Sequence, residues 1–339
     1  MKTQGLIDIQ INGFAGVDFN SGKLTAQAMD HALEALLACG VTTCLPTLIT
    51  AAPEVLEERL LALDASVCES RLGPLMCPGY HLEGPFLNPA SGYSGCHPAS
   101  AMTAASIDFF DHLRSLAVKP ILLTTIAPEI DGGLEFIRGM RERHVLVAIG
   151  HSASNFDMVA QAASAGASLS THLGNGLPQI LPKLDNTIFA QLAEDRLVAT
   201  FIADGVHLPP QALKVMIRAK GIERSILATD AVSAAAVGPG LYDFADMRIE
   251  RQVNGTVLNP GGAGLAGSSL CLDQAVRNLV QWNIASFNNA IDMASRNVSR
   301  LLSPSLAARG IVLAVSEIEW TPSMDVGRVQ IGTEERRTI

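Results

Sequence analysis

Eight strand-length apolar runs alternate with helix-patterned segments along this chain, and that rhythm leaves few architectures open. The runs are Leu6–Ile11, Val41–Leu48, Met76–Leu82, Pro120–Ile126, Val145–Ile149, Ala167–Thr171, Leu197–Ile202 and Ser225–Ala228. Between them, apolar residues recur at three- and four-residue steps over Thr25–Ala38, Pro53–Val67, Thr103–Ala117, Gly133–Arg143, Asn155–Ala165 and Pro209–Ala219. The connection after Thr171 is less regular, and its helix is expected near Asn186. Continuously apolar strands that alternate with helices form a parallel sheet covered on its outer face. Eight such units close an α/β (β/α)₈ TIM barrel, whose strands all point their C-terminal ends at one face.

A length of 339 residues accommodates one large barrel or two ordinary domains, and the alternation favours the first. Aromatic residues are only 5%, so Ala, Leu, Val and Ile must fill the core, as in layered barrel interiors. Gly, Asn and Pro cluster at Gly84–Pro98, Gly174–Asp185, Val232–Leu241 and Asn254–Gly267, each after a strand, which marks the loops of the active face. Two more helices are expected at Ser268–Trp282 and Ser286–Leu302, and short strands with turns from Gly310 to Ile339. The expected division is a barrel over residues 1–309 and a short β tail over 310–339.

A net charge of −9 without any Lys/Arg cluster argues against nucleic acid as a partner. The opening MKTQGLIDIQING alternates like a strand and carries no signal or membrane segment. Six cysteines at irregular spacings, without a CxxC pair, fit a reducing cytoplasm. A small-molecule substrate is the remaining class of partner.

Polar residues with metal and proton chemistry sit at the strand ends: Gln10 and Asn12, Glu83 in HLEGPFL, His151 in AIGHSAS, His172 in LSTHLGN, His207 in FIADGVHL and Asp230 in ILATDAVSA. Each alone also fits a structural role, such as a salt-bridged Glu at a turn or a hydrogen-bonded packing His. Together, Glu83, His151 and His172 make a carboxylate and imidazole set of the kind that holds catalytic zinc and leaves a position for water. Asp230 could then accept and return a proton, or cap the following segment. His207 could bind a substrate hydroxyl or polarise its carbonyl, with Asp204 as a structural orienter.

In order from about Gly5 to Leu302, the segments LIDIQINGFAGVDFN, HLEGPFLNP, GCHP, GHSAS, THLGN, FIADGVHL, TDAVSAA and LAGSSLCLDQAVRNLV resemble the N-acetylglucosamine-6-phosphate deacetylases of the amidohydrolase superfamily. The resemblance implies Glu83, His151 and His172 as metal ligands and Asp230 as the catalytic acid–base. It implies His97 facing the acyl group or sugar beside Cys96, with Asn175, Gly176, His207 and the turn of Leu265, Ala266, Gly267 and Ser268 lining the sugar site. Gln10-Ile11-Asn12 stands where many amidohydrolases carry His-x-His, which fits one divalent ion, zinc by default with iron, cobalt or manganese as alternatives. A homodimer is a further implication.

The chain departs from the family pattern after His172, where THLGNGLPQILPKLDNT offers Lys183 in place of an arginine for phosphate. It opens directly on the first barrel strand, so the small β-sandwich is expected to be absent or reduced to a C-terminal remnant. Gly174 and Gly176 around Asn175 remove side chains and should reshape the pocket. The reading is therefore a metal-dependent deacetylase of an N-acetylhexosamine 6-phosphate. The same chemistry on a non-phosphorylated N-acyl sugar or related amide is the alternative, and an inactive sugar-binding barrel a third.

Overall fold

The computed structural model describes residues 1–259 and 264–337. Eight strands lie side by side in chain order, each parallel to the next: β1 Leu6–Ile11, β2 Val41–Ile49, β3 Tyr80–Glu83, β4 Ile121–Ile126, β5 Leu146–Ile149, β6 Leu169–Ser170, β7 Val198–Phe201 and β8 Ser225–Leu227. The ring is joined just past the ends of β8 and β1, where Ile11 bridges Ala231 in parallel and the Asp230 amide donates to Gln10 O at 2.9 Å. All nine residues of β2 are buried, as a strand covered by helices requires.

Helix starts follow the local chemistry. Thr25, Asn155 and Asn186 accept amide hydrogens from the first turns of Ala26–Ala38, Phe156–Ala165 and Thr187–Ala193, satisfying donors that have no partner inside a helix. Three expected elements are corrected. β3 starts at Tyr80 because Gly73–Met76 forms a one-turn helix ahead of it. The helix expected over 103–117 spans Ile107–Leu116, capped by Ser106. The helix expected over 286–302 breaks at Ser295, whose hydroxyl donates to Gly5 O, giving Phe287–Ala294 and Arg296–Ala307. The second of these places Val298, Leu302 and Leu306 in one buried cluster with Ile7, Ile9, Leu45 and Ile226 of β1, β2 and β8.

Besides the antiparallel pair Gly13–Phe14 and Val17–Asp18, two sheets stand outside the barrel among the described residues. The loop after β8 carries antiparallel strands Gly240–Phe244, Met247–Arg251 and Val257–Leu258, the first and last of which overlap the expected loops Val232–Leu241 and Asn254–Gly267. Pro260–Ala263, inside the expected loop Asn254–Gly267, lie outside the described residues, as do Thr338 and Ile339 of the expected tail. The second sheet orders Lys2–Thr3, Ser316–Trp320, Val326–Ile331 and Glu334–Arg337. Its first strand corrects the expectation that the chain opens on the barrel: Lys2 and Thr3 pair antiparallel with Glu319 and Ile318.

Candidate active site

Alternate residues of β1 and its extension share one face, so Asp8, Gln10 and Asn12 point the same way. Gln10 Nε2 donates to Glu83 Oε1 at 2.8 Å and to Asp230 Oδ1 at 3.3 Å, and Asn12 Nδ2 donates to the same Asp230 oxygen at 2.7 Å. The positions of the absent His-x-His pair therefore supply amides that orient the acid groups of β3 and β8.

Glu83, the last residue of β3, is buried among three imidazoles. Its Oε1 lies 3.1 Å from His172 Nε2 and 3.6 Å from His151 Nε2, and its Oε2 lies 3.8 Å from His97 Nε2. Burial opposes the carboxylate's charge, but the surrounding histidines outweigh it and hold Glu83 well below the usual carboxylate range. Burial likewise opposes a charge on His172, and the Glu83 carboxylate reverses the balance and raises it. For His97, burial first and His151 second push the imidazole down to about 3.

Second partners separate the histidines. His151 Nδ1 lies 2.7 Å from Tyr93 O, which can only accept, so that nitrogen carries the proton and Nε2 presents a lone pair. His151 Nε2 is buried without a hydrogen-bond partner, a costly state that a cation would relieve. His97 Nδ1 accepts from the Thr50 amide at 3.4 Å and lies 3.0 Å from the Thr50 hydroxyl, which can donate to it as well, so the neutral ring is assigned its proton on Nε2. His97 is thereby a donor, although its ligand atom lies within 4.8 Å of those of Glu83 and His151. The donor set fits a divalent ion, with Glu83, His151 and His172 supplying the lone pairs.

Asp230 stands on the opposite side of Gln10. Burial first and the charge of Glu83 second raise its carboxyl to about 6. Asp230, His151 and His172 all have left-handed backbone, with φ of 50°, 51° and 26°. Non-glycine residues in that region are uncommon, and such strain concentrates at functional sites.

These groups open into a cavity of about 760 Å³. Of the expected binding residues, Cys96, His97, Asn175, Gly176, His207, Leu265 and Gly267 line it. Ala266 is fully buried and is not part of the wall. Lys183, expected to bind phosphate, is exposed on its loop and is not among the residues that line the cavity. Asp204 acts on His207, accepting its amide at 2.8 Å and facing its Nδ1 at 2.6 Å.

Sequence reasoning missed two supports. Glu129 accepts hydrogen bonds from the Ala153 amide, the Ser152 and Ser154 hydroxyls and Asn88, which pins the loop that follows His151. Its place just past β4 was the available signal. Fully buried Asp8 accepts from Thr229 Oγ1 at 2.6 Å and from the amides of Gln10 and Thr229, and burial pushes it up to about 7. The Thr229 hydroxyl in turn accepts from the Ala231 amide, so the pair fixes both residues flanking Asp230. Thr229→Val should cost about 1–3 kcal/mol, the scale of an unsatisfied buried polar group. An unchanged urea midpoint would show that Asp8 does not depend on that hydroxyl.

No family model matches the chain. It is 33% identical over 300 residues to the N-acetylgalactosamine-6-phosphate deacetylase of Escherichia coli O157:H7, covering 87% of this chain and 76% of the relative. It is 30% identical over 301 residues to the N-acetylglucosamine-6-phosphate deacetylase of Bacillus subtilis, covering 88% and 74%. Among solved structures, a mutant N-acetyl-D-glucosamine-6-phosphate deacetylase of Mycobacterium smegmatis, in complex with N-acetyl-D-glucosamine-6-phosphate, superposes with a TM-score of 0.87 at 26% identity, covering 98% of this chain and 86% of that one. Ordered motifs, a closed parallel barrel and relatives aligned over most of both lengths agree, and the chain belongs to the N-acetylglucosamine-6-phosphate deacetylase family of amidohydrolases.

Proposed function

We propose that this protein hydrolyses the acetamide of an N-acetylhexosamine 6-phosphate, with Glu83, His151 and His172 holding one divalent ion and Asp230 moving the proton. The observation that carries the reading is the buried carboxylate and imidazole cluster, with its unpartnered His151 Nε2, beside a carboxyl raised to about 6. When bound, the ion supplies Lewis acidity, which can bring the pKa of a water from 15.7 to about 7. Zinc is the default for this donor set, and iron, cobalt or manganese accept the same ligands.

Asp230 is ionised at neutral pH yet basic enough to take the proton of the attacking water. Gln10 and Asn12 both engage Oδ1, so Oδ2 is the oxygen that carries the proton and returns it to the leaving nitrogen. His97 donates through Nε2 to the acyl oxygen. Asn175, His207 and the Leu265–Gly267 turn bind the sugar. The setting we infer is cytoplasmic, supported by six free cysteines, and the assembly a homodimer, supported by the family resemblance. Among the described residues no helix is long and apolar enough to cross a membrane.

The relatives named above act on 6-phosphate sugars by name, which supports the phosphorylated substrate. One observation favours a second reading, a plain N-acyl amino sugar: among the described residues, no Lys or Arg lines the cavity. Lys183→Ala tests the difference. A contact from so exposed a lysine is worth under ~1 kcal/mol. On the 6-phosphate substrate KM should rise by at most roughly fivefold with kcat kept, since a remote charge contributes uniform binding. Wild-type preference for the plain sugar, with Lys183→Ala identical to wild type on both, would establish the second reading.

A further inference from the structure

Away from the barrel mouth, two helix ends bring together Cys39, Cys271 and Asp273, whose ligand atoms all lie within 4.8 Å of one another. Cys39 closes the helix Ala26–Ala38, and Cys271 opens the helix Leu272–Gln281 without using its side chain as a cap. We propose that these three residues form a second metal site, selective for a soft divalent cation such as Zn²⁺ and independent of the catalytic cluster.

Three observations support the site besides proximity. Asp273 is 8% exposed, and its Oδ1 is buried without a hydrogen-bond partner, so a built polar atom at the cluster lacks a protein contact. The other oxygen pairs with Arg277 at 2.7 Å, which fixes the carboxylate's orientation. Charge also favours a cation: two thiolates and the Asp273 carboxylate outweigh the Arg277 guanidinium, which Asp325 shares at 3.6 Å.

The donor types choose the metal. Thiolate ligands select zinc-like ions over the hard, oxygen-seeking Mg²⁺ and Ca²⁺, and only one oxygen ligand is present. Zn–S bonds of about 2.3 Å in a tetrahedron place ligand atoms about 3.8 Å apart, so a contraction of roughly 1 Å at most completes the site. Binding releases the two thiol protons, and water fills the remaining position. Gly267, in the cavity wall, lies four residues before Cys271, so the ion clips the segment that carries the Leu265–Gly267 turn to the end of the first barrel helix.

The test is cobalt loading of the metal-stripped full chain. Wild type should take up two ions per chain and show a near-ultraviolet thiolate-to-cobalt band. Cys271→Ser should lose that band and one ion. Glu83→Gln should keep the band, and so should Cys96→Ser, which removes the cysteine that lines the catalytic cavity. Should Cys271→Ser fail to fold, Cys39→Ser gives the same reading. A wild-type protein without the band overturns the proposal, as does a band lost in Cys96→Ser and kept in Cys271→Ser. Peptide mapping that finds a Cys39–Cys271 disulfide in freshly purified protein overturns it too.

Discussion

Asp230→Asn should lower turnover by roughly 10²- to 10⁴-fold while the protein keeps its catalytic ion, because an amide can neither accept nor return a proton. The change is nearly isosteric, and its surroundings make it a clean one. Oδ1 already receives two amide donors, from Asn12 at 2.7 Å and Gln10 at 3.3 Å, so an asparagine oxygen can take that place. The backbone is held independently, by the Asp230 amide to Gln10 O and by Ser268 N to Asp230 O, each 2.9 Å. Asn also tolerates the left-handed conformation at φ 50°. The loss should therefore fall on kcat and kcat/KM alike. Metal analysis of the variant separates the alternatives: ion lost together with activity would make Asp230 a ligand, and retained turnover would remove it from the mechanism.

Gly176→Ala should disable the same site from the other side. A Cβ there would lie 2.6 Å from His151 Nδ1 and 2.7 Å from His151 Cε1, distances that real Cβ atoms do not adopt. The ring cannot yield freely, since Nδ1 is held 2.7 Å from Tyr93 O. The residue itself sits at φ 63°, which alanine tolerates poorly. Displacing the ring should cost roughly 10²-fold in kcat/KM, the scale of a misplacement of about 1 Å at a reacting centre, and should weaken the ion. Gly238→Ala is the control on the same protein, as its Cβ would meet nothing within 4 Å. Equal activity of the two variants would show that His151 moves without consequence and would remove it from the ligand set.

The barrel was legible because its strands are continuously apolar and its helices keep a three- and four-residue period, two signals that depend on nearest-neighbour burial alone. Strand-end residues were legible for a related reason: a polar side chain closing an apolar run, as Glu83 does after Leu82, has few places to go except the mouth. What stayed hidden depends on contacts distant in sequence. Ser295 breaks a helix by bonding Gly5, 290 residues away, and no local pattern records that. The strand Gly240–Phe244 needs Met247–Arg251 beside it to count as a strand, whereas its own Gly, Tyr and Asp read as loop. Sequence named His97 and His151 as site residues; only Thr50 and Tyr93 decide which nitrogen each ring offers. Lys183 was singled out as the nearest cation in the chain, and nearness in sequence did not place it in the wall.

The account stands most directly on acetate release measured with matched N-acetylhexosamine 6-phosphates and their plain counterparts, before and after removal of bound metal by a chelator. The expected result is release from the phosphorylated sugar at neutral pH, abolished by chelation and restored when the divalent ion is added back. Release that survives complete metal removal, or none from either sugar by the metal-loaded protein, would contradict it.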